Sequence, residues 1–469
     1  MSEEKKTAAE EWKEQLFLKP SYAPETLEEK DVAAADRYCA DYAAFLDEAK
    51  TEREAVTAAV ARAEAAGFVP FDPQKKLVPG DKVYQNNRGK ALILAVIGSR
   101  PLTDGVSIAV AHIDSPRLDL KAVPVYEDRK LAYFDTHYYG GIKKYQWTAI
   151  PLALHGVVIR KDGTKVTVRV GEDPADPVFC VTDLLPHLAQ EQMKRPAGEI
   201  IRGEDLNVLI GSRPFRGDES GEAVKLNILH LLFEKYQITE ADFLSAELEM
   251  VPAFGARDIG FDRSMIGAYG HDDRVCAYPA LTALLAQGCP AYTALTVLAD
   301  KEETGSDGNT GMQGSFLRDF VEDLAAQAGV SGYRVLANSL CLSADVNAAF
   351  DPIYPEVMES RNCCYINGGV VLTKYTGSRG KGGTSDASAE TMGTMRRLMD
   401  KAGVVWQVGE LGKVDLGGGG TVAKYVANLN VDTVDLGVPV LSMHAPLEVV
   451  SKLDVYMAHR AFSAMFDRA

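Results

Sequence analysis

The chain has 469 residues, with 50 Lys plus Arg against 66 Asp plus Glu, 46% hydrophobic residues and a formal net charge of −16. That length exceeds a single hydrophobic core, which stops growing near roughly 250–300 residues, and the apolar and charged fractions exclude disordered and fibrous classes. The acidic excess, with no long Lys/Arg block, excludes an extended phosphate-backbone footprint, so nucleic acid is not an expected partner.

The seven cysteines, at 39, 180, 276, 289, 341, 363 and 364, form no CxxC pair and are too sparse for a disulfide framework, which fits a reducing cytoplasm. The stretch from Met1 to Phe17 is charged throughout and has no apolar segment of the kind a secretory signal needs. The longest apolar run, Ala91 to Ile97, falls far short of the roughly 20 residues of a membrane span, so no membrane association is expected.

From Asp31 to Ala66, Ala, Glu, Lys and Leu at helical spacing predict one long helix or a broken pair, stopped by Gly67, Pro70 and Pro73. The runs Ala91–Ile97 and Val106–Ala111, separated by GSRPLTDG, predict adjacent strands. Between Val123 and Phe243 the texture changes to short alternating stretches such as Thr164–Val170, with one amphipathic piece at Val224–Tyr236. This predicts an inserted β-rich domain at 123–250 within a second domain made of 1–122 and 251–469. Beyond Pro252 the sequence predicts a helix at Asp272–Gln287 and strands at Ala294–Ala299, Ser339–Ala344 and Val438–Met443. Strands alternating with helices predict an α/β fold with a mostly parallel central sheet covered on both faces. The Gly-rich stretches 377–383 and 417–420 do not fit a phosphate loop, because Lys381 sits at the wrong offset, and they are read as flexible loops.

The chemistry shows at the carboxyl end of each strand. Val106–Ala111 runs into His112-Ile113-Asp114, Ala294–Ala299 leads to Glu302-Glu303, Ser339–Ala344 runs into Asp345, and Val438–Met443 runs into His444. Ligands of open α/β sheets gather at such ends, so one shared site is implied. Asp272-Asp273 at a helix start adds a further carboxylate. Any one of these residues alone reads as a cap or a surface charge; five ligand-type residues in five segments together predict a metal site. Two imidazoles (His112, His444) and three carboxylates (Asp272, Glu303, Asp345) suit zinc, cobalt or manganese. Three crowded carboxylates repel one another at low dielectric, so two divalent ions are expected, with Asp272 bridging them. Their four positive charges would bring the −16 up by about four.

Glu302 and Glu303 are adjacent and in an extended segment point opposite ways, so both cannot be equivalent ligands; in the loop after the strand one can coordinate while the other faces the substrate. Glu303 is therefore assigned to metal and Glu302 to general base, taking a proton from water and giving it to the leaving amine. Asp114, two residues beyond His112, is placed to accept that imidazole's second ring N–H.

The ordered set Ala111-His112-Ile113-Asp114-Ser115-Pro116, Asp272-Asp273, Glu302-Glu303-Thr304-Gly305-Ser306, Ser343-Ala344-Asp345 and Ser442-Met443-His444-Ala445-Pro446 resembles the aspartyl aminopeptidase family of dinuclear zinc aminopeptidases. Tyr139-Gly140-Gly141 and Asp435-Leu436-Gly437-Val438-Pro439 extend the match. The resemblance implies an α/β/α zinc-peptidase domain interrupted by a smaller β-rich dimerisation domain. It also implies removal of N-terminal residues from short peptides, and assembly into tetrahedral dodecamers. It carries over the same five metal ligands, with Glu302 as base.

The chain departs from the family at His271-Asp272-Asp273-Arg274, which is more like the related glutamyl aminopeptidases. It departs again where Lys144 and Tyr145 stand near a family histidine thought to reach a neighbouring subunit's site. Lys374 lies in a region resembling the family's substrate-side lysine, and Gly420-Thr421 is a candidate to present backbone to substrate. Two rival functions remain at this level: a deacylase of the same clan acting on N-acyl substrates, and a catalytically silent shell-forming protein.

Overall fold

A computed structural model describes residues 6–20, 22–219 and 221–469; the first five residues of the charged N-terminal stretch therefore lie outside the described residues. Four strands form the middle of a nine-stranded sheet: β1 (Ser107–His112), β2 (Ala294–Ala299), β3 (Leu340–Ala344) and β4 (Asp432–Gly437). They lie in the order β2-β1-β3-β4 and all run parallel. Beyond β2 lie Ala91–Val96, Lys82–Asn87 and Val69–Pro70, and beyond β4 lie Val370–Thr373 and Trp406–Val408. Antiparallel pairings occur only on these flanks.

Strands β1, β2 and β3 are mostly apolar without alternation because both faces of the sheet are covered. On one face Leu92, Leu94, Ala109, Ala111 and Leu342 pack under helices α1 (Glu29–Glu48), α2 (Glu52–Ala65), α3 (His271–Leu285) and the C-terminal helix Lys452–Phe466. On the other, Ile93, Ala95, Ile108, Val110 and Val297 meet α4 (Phe316–Gln327) and the short helix Gly332–Ala337. Each fully buried Val or Leu contributes about 1.5–3 kcal/mol of transfer free energy. This is the three-layer α/β/α arrangement expected.

One local expectation narrows to one of its two alternatives, and two others are resolved differently. The helical stretch 31–66 is a broken pair, because Thr51 caps α2 in a capping box with Glu54 and so ends continuity with α1. Ala91–Val96 and β1 are not neighbours, since β2 lies between them. Gly98 makes room for this: a Cβ there would sit 2.4 Å from the Tyr292–Thr293 backbone that leads into β2. The segment 438–443 does not extend the large sheet either. Its strand Pro439–Leu441 belongs to a separate five-stranded sheet with Asn347–Ala348, Glu448–Ser451, Met265–Ala268 and Arg257–Ile259.

A second, seven-stranded and wholly antiparallel sheet is built from Arg117–Asp128, Leu131–Tyr139, Leu152–Ile159, Lys165–Val170, Cys180–Val181, Val208–Gly211 and Ala246–Pro252. It has its own core around Leu118, Phe134, Trp147 and Met250. Its strands start at Arg117 and end at Pro252, past the 123 and 250 boundaries read from the sequence. The amphipathic piece at 224–236 is the helix Ala223–Tyr236. Among the described residues, no helix is long and apolar enough to cross a membrane.

Candidate metal centre

The carboxyl ends of β1, β2 and β3 lie side by side, and their outgoing loops bring His112, Glu302, Glu303 and Asp345 together. β1 ends at His112, which is 1% exposed. After β2, Lys301 takes a left-handed φ of 66° and turns the chain into the 3-10 turn Glu302–Thr304. The two glutamates thus sit on a turn in the loop after the strand, and both side chains enter the cluster. Asp272 enters from the start of α3, where it and Asp273 depart from helical φ/ψ. His444 arrives on the loop from the five-stranded sheet, with a φ of 64°.

The carboxylate of Asp272 spans the two imidazoles. Its Oδ1 lies 3.1 Å from His112 Nε2 and its Oδ2 lies 3.2 Å from His444 Nε2. Asp345 Oδ1 stands 3.7 Å from His112 Nε2, and Glu303 Oε2 stands 3.7 Å from His444 Nε2. Glu302 Oε2 is 4.0 Å from His112 Nε2. His112, Asp272 and Glu303 each offer an atom within 4.8 Å of the others, as do His112, Asp273 and Asp345. The donor set passes a test of fit to metal ions: Glu303 Oε1 and Asp273 Oδ1 are buried with no hydrogen-bond partner, the condition a cation relieves.

The electrostatics describe a site crowded with negative charge. Burial pushes Glu302 up to about 8, and Asp345 adds to it. Burial also raises Glu303, Asp345 and Asp273, reinforced by neighbouring carboxylates. Burial opposes charge on His444, yet Asp272 and Glu303 hold it up to about 10. Asp272 moves down despite its burial, because both imidazoles donate to it. Such oppositely displaced groups in one cluster are the mark of a functional site.

Asp114 sits behind the cluster, fully buried. Its carboxylate accepts the backbone N–H groups of Glu302 (3.1 Å) and Glu303 (3.2 Å) and the Tyr139 hydroxyl (2.8 Å). His112 Nδ1 lies 3.0 Å from Asp114's own carbonyl oxygen and 3.3 Å from its Oδ1.

Three contributors have no reading as site residues in the sequence. Tyr139 comes from the second sheet, and the guanidinium of Arg117 stacks 4.0 Å from its ring centroid. Gly141, two residues on, offers its carbonyl oxygen 2.6 Å from His444 Nδ1, and the intervening Gly140 passes so close to Glu303 that a Cβ would lie 3.1 Å from Oε2. The motif Tyr139-Gly140-Gly141 was visible as matching sequence, but nothing in it announces these contacts. The third, Asp273, accepts the His112 backbone N–H through Oδ2 at 3.3 Å.

Beside His444 opens a cleft of about 870 Å³, lined by Gly141, Ile142, Tyr145, Tyr354, Met358 and Met443 among others. Tyr145 therefore stands at the site's edge. Lys374 does not line it: its Nζ is ion-paired to Asp386 at 2.5 Å, just beyond the glycine-rich stretch 377–383. Gly420 is exposed, with open space around it.

The family model described as aminopeptidase I zinc metalloprotease (M18) matches residues 45–466. The chain belongs to the M18 family. A probable M18 family aminopeptidase 1 from Clostridium acetobutylicum is 52% identical over 431 residues, covering 90% of this chain and 93% of the relative. The crystal structure of an M18 aminopeptidase from Thermotoga maritima superimposes with a TM-score of 0.91 at 42% identity, covering 97% of this chain and all of that one. That of aminopeptidase I from Clostridium acetobutylicum gives 0.90 at 47% identity, with the same coverage. This M18 chain is a metal-dependent aminopeptidase, a hydrolase, and neither a deacylase nor a silent shell protein is favoured by its relatives.

Proposed function

We propose that His112, Asp272, Glu303, Asp345 and His444 hold two divalent ions, zinc in the first place with cobalt or manganese able to substitute, and that Glu302 is the general base. The observation that carries this reading is the Asp272 carboxylate, whose two oxygens each face a different imidazole. His112 with Asp345 would then serve one ion and His444 with Glu303 the other. When bound, the ions supply Lewis acidity toward the scissile carbonyl and make water acidic near neutral pH.

The protein's own groups do the rest. Glu302, on the same turn as Glu303 but not shared between the imidazoles, takes a proton from the attacking water and passes it to the leaving amine. Asp114 fixes both glutamates by holding their backbone N–H groups, and orients His112 from behind. The peptide's N-terminal residue occupies the cleft beside His444, where Tyr145 lines the wall. Lys374 meets an acidic side chain only by leaving Asp386, and Gly420 contributes backbone alone.

The protein works on short peptides in the cytoplasm as a homo-oligomer, with residues 123–250 as the dimerisation domain of a tetrahedral dodecamer. A Saccharomyces cerevisiae relative, 19% identical with a TM-score of 0.75, is described as a dodecamer. Exposed Leu184, Leu185, Leu188, Leu231 and Phe233 give this region the apolar surface that an interface needs.

A panel of aminoacyl chromogenic amides and their N-acetylated counterparts, assayed with added zinc, cobalt or manganese, tests the catalytic reading. Turnover of free-amine substrates alone is expected; turnover confined to blocked substrates would overturn it. Solution mass tests the assembly.

A further inference from the structure

We propose that Glu448 is a positioning residue that ties the backbone of Asp272, whose carboxylate faces both imidazoles, to that of His444. This rests on the ligand assignment above. Glu448 is 1% exposed, and its carboxylate forms an ion pair with no Lys or Arg among the described residues. Its two oxygens are instead divided between two backbone donors: Oε2 accepts the N–H of Asp272 at 3.0 Å and Oε1 accepts the N–H of His444 at 2.7 Å.

Both donors need such a partner. Asp272 has φ −78° and ψ 107°, outside the helix beyond it, and His444 has a left-handed φ of 64°, so neither amide is taken up by a regular ladder. A buried carboxylate without a cation is costly, and a neutral side chain of this size cannot replace it, since Gln carries only one acceptor oxygen. One planar group therefore sets the spacing between the two segments that present Asp272 and His444. Glu448 itself is held by the first register position of strand Glu448–Ser451, paired with Ala268.

The fold anchors the two halves of the centre unequally. Asp272 has a second tether, its carbonyl accepting the Ser115 hydroxyl at 2.5 Å, and His112 belongs to β1. His444 lies on a loop, and apart from its contacts with the cluster carboxylates its other hydrogen bond among the described residues is from Nδ1 to the Gly141 carbonyl. Loss of Glu448 should thus fall on the ion shared by Asp272, Glu303 and His444, while the ion at His112 and Asp345 is spared.

The test is calorimetric titration of metal-free protein with Zn2+, alongside the visible spectrum of the Co2+ form. Glu448→Gln is expected to leave one site near the wild-type affinity and to weaken the other by about 10–100-fold, the usual effect of removing an outer partner of a metal ligand. Asp454→Asn is the control: Asp454 is equally buried and also accepts two backbone N–H groups, from Asn367 and Gly369, but serves no residue of the centre. It should bind both ions as the wild type does.

Should Glu448→Gln not fold, Glu448→Asp keeps the charge but is too short to reach both amides, and the same selective weakening is expected of it. Unchanged affinities and cobalt spectrum in a Glu448 variant would overturn the inference, as would equal losses in the Glu448 and Asp454 variants. Wild-type protein that takes up no metal would instead overturn the ligand assignment.

Discussion

Gly140→Ala separates backbone strain from pressure on the metal centre. Gly140 has a φ of 76°, where an L-residue costs roughly 1–2 kcal/mol. The new Cβ would also lie 3.1 Å from Glu303 Oε2 and 3.4 Å from both Glu303 Cβ and Pro116 Cγ. Pro116 cannot yield, so the strain is relieved by movement of the Glu303 carboxylate away from His444. Gly163 supplies the comparison: its φ is 84°, and a Cβ there meets nothing within 4 Å. Gly163→Ala should show the backbone cost alone, and Gly140→Ala that cost plus displacement of Glu303. Urea unfolding of the metal-free proteins is expected to give similar destabilisation of about 1–2 kcal/mol for both. Zinc titration should then show weaker binding only in Gly140→Ala. Equal zinc affinity in the two variants would refute the claim that the Tyr139–Gly141 segment confines Glu303.

Three further outcomes are expected. Glu302→Gln should retain its metal, measured by elemental analysis, while kcat falls by about 10²–10⁴, and a change of only a few-fold would remove the general-base assignment. Tyr139→Phe takes one of the donors from Asp114, a hydrogen bond to a charged acceptor worth about 1.5–3 kcal/mol, and should lower unfolding stability by that order without altering the other contacts of Asp114. Away from the centre, His155 Nδ1 lies 2.9 Å from Glu54 and Nε2 lies 3.0 Å from Glu172, which also takes Lys50 at 2.8 Å. Burial opposes a charged His155, but Glu172 and Glu54 outweigh it and raise its pKa, so its contribution is full below about 6.5 and is lost as pH rises through the higher folded value. Burial likewise opposes ionised Glu54 and Glu172, yet their partners lower both, so their contribution is present above about 4.5 and is lost as pH falls through their folded values. Urea midpoints across pH should show His155→Gln losing the alkaline decline that the wild type shows; identical pH profiles would exclude an ionised His155.

Much of the fold was legible because β1, β2 and β3 are mostly apolar runs without alternation, the pattern expected when helices cover both faces of a sheet. Each is followed within a few residues by a side chain able to bind a cation, so the cluster was readable at strand ends without any pairing being known. Pairing was the less legible part. Nothing local in Ala91–Val96 says that β2, far along the chain, will lie against it, and the close passage at Gly98 that admits β2 is a three-dimensional fact. Val438–Met443 looked like another strand of the same sheet because a short apolar run carries no label of the sheet it joins. The supports of the centre were least legible. Glu448, Tyr139 and Gly141 act through hydrogen bonds to residues from other segments, and a glutamate shortly after a histidine has no periodicity to betray it. Lys374 stands apart: its substrate-side reading came from the family resemblance, and its ion pair with Asp386 depends on how the glycine-rich loop folds back, which no local pattern announces.

The second sheet is an insertion in the chain, a word that suggests something that can be taken out. Its Tyr139 hydroxyl donates to Asp114 behind His112, and its Gly141 carbonyl meets the His444 imidazole directly, although every side chain of the cluster itself belongs to the rest of the chain. A minimal enzyme made by splicing Pro116 to Ala253 would keep all five ligand-type residues and Glu302 in its sequence, and would still lack two of the atoms that hold them in place. For anyone trimming, permuting or grafting this protein, the smallest transferable unit is both sheets together.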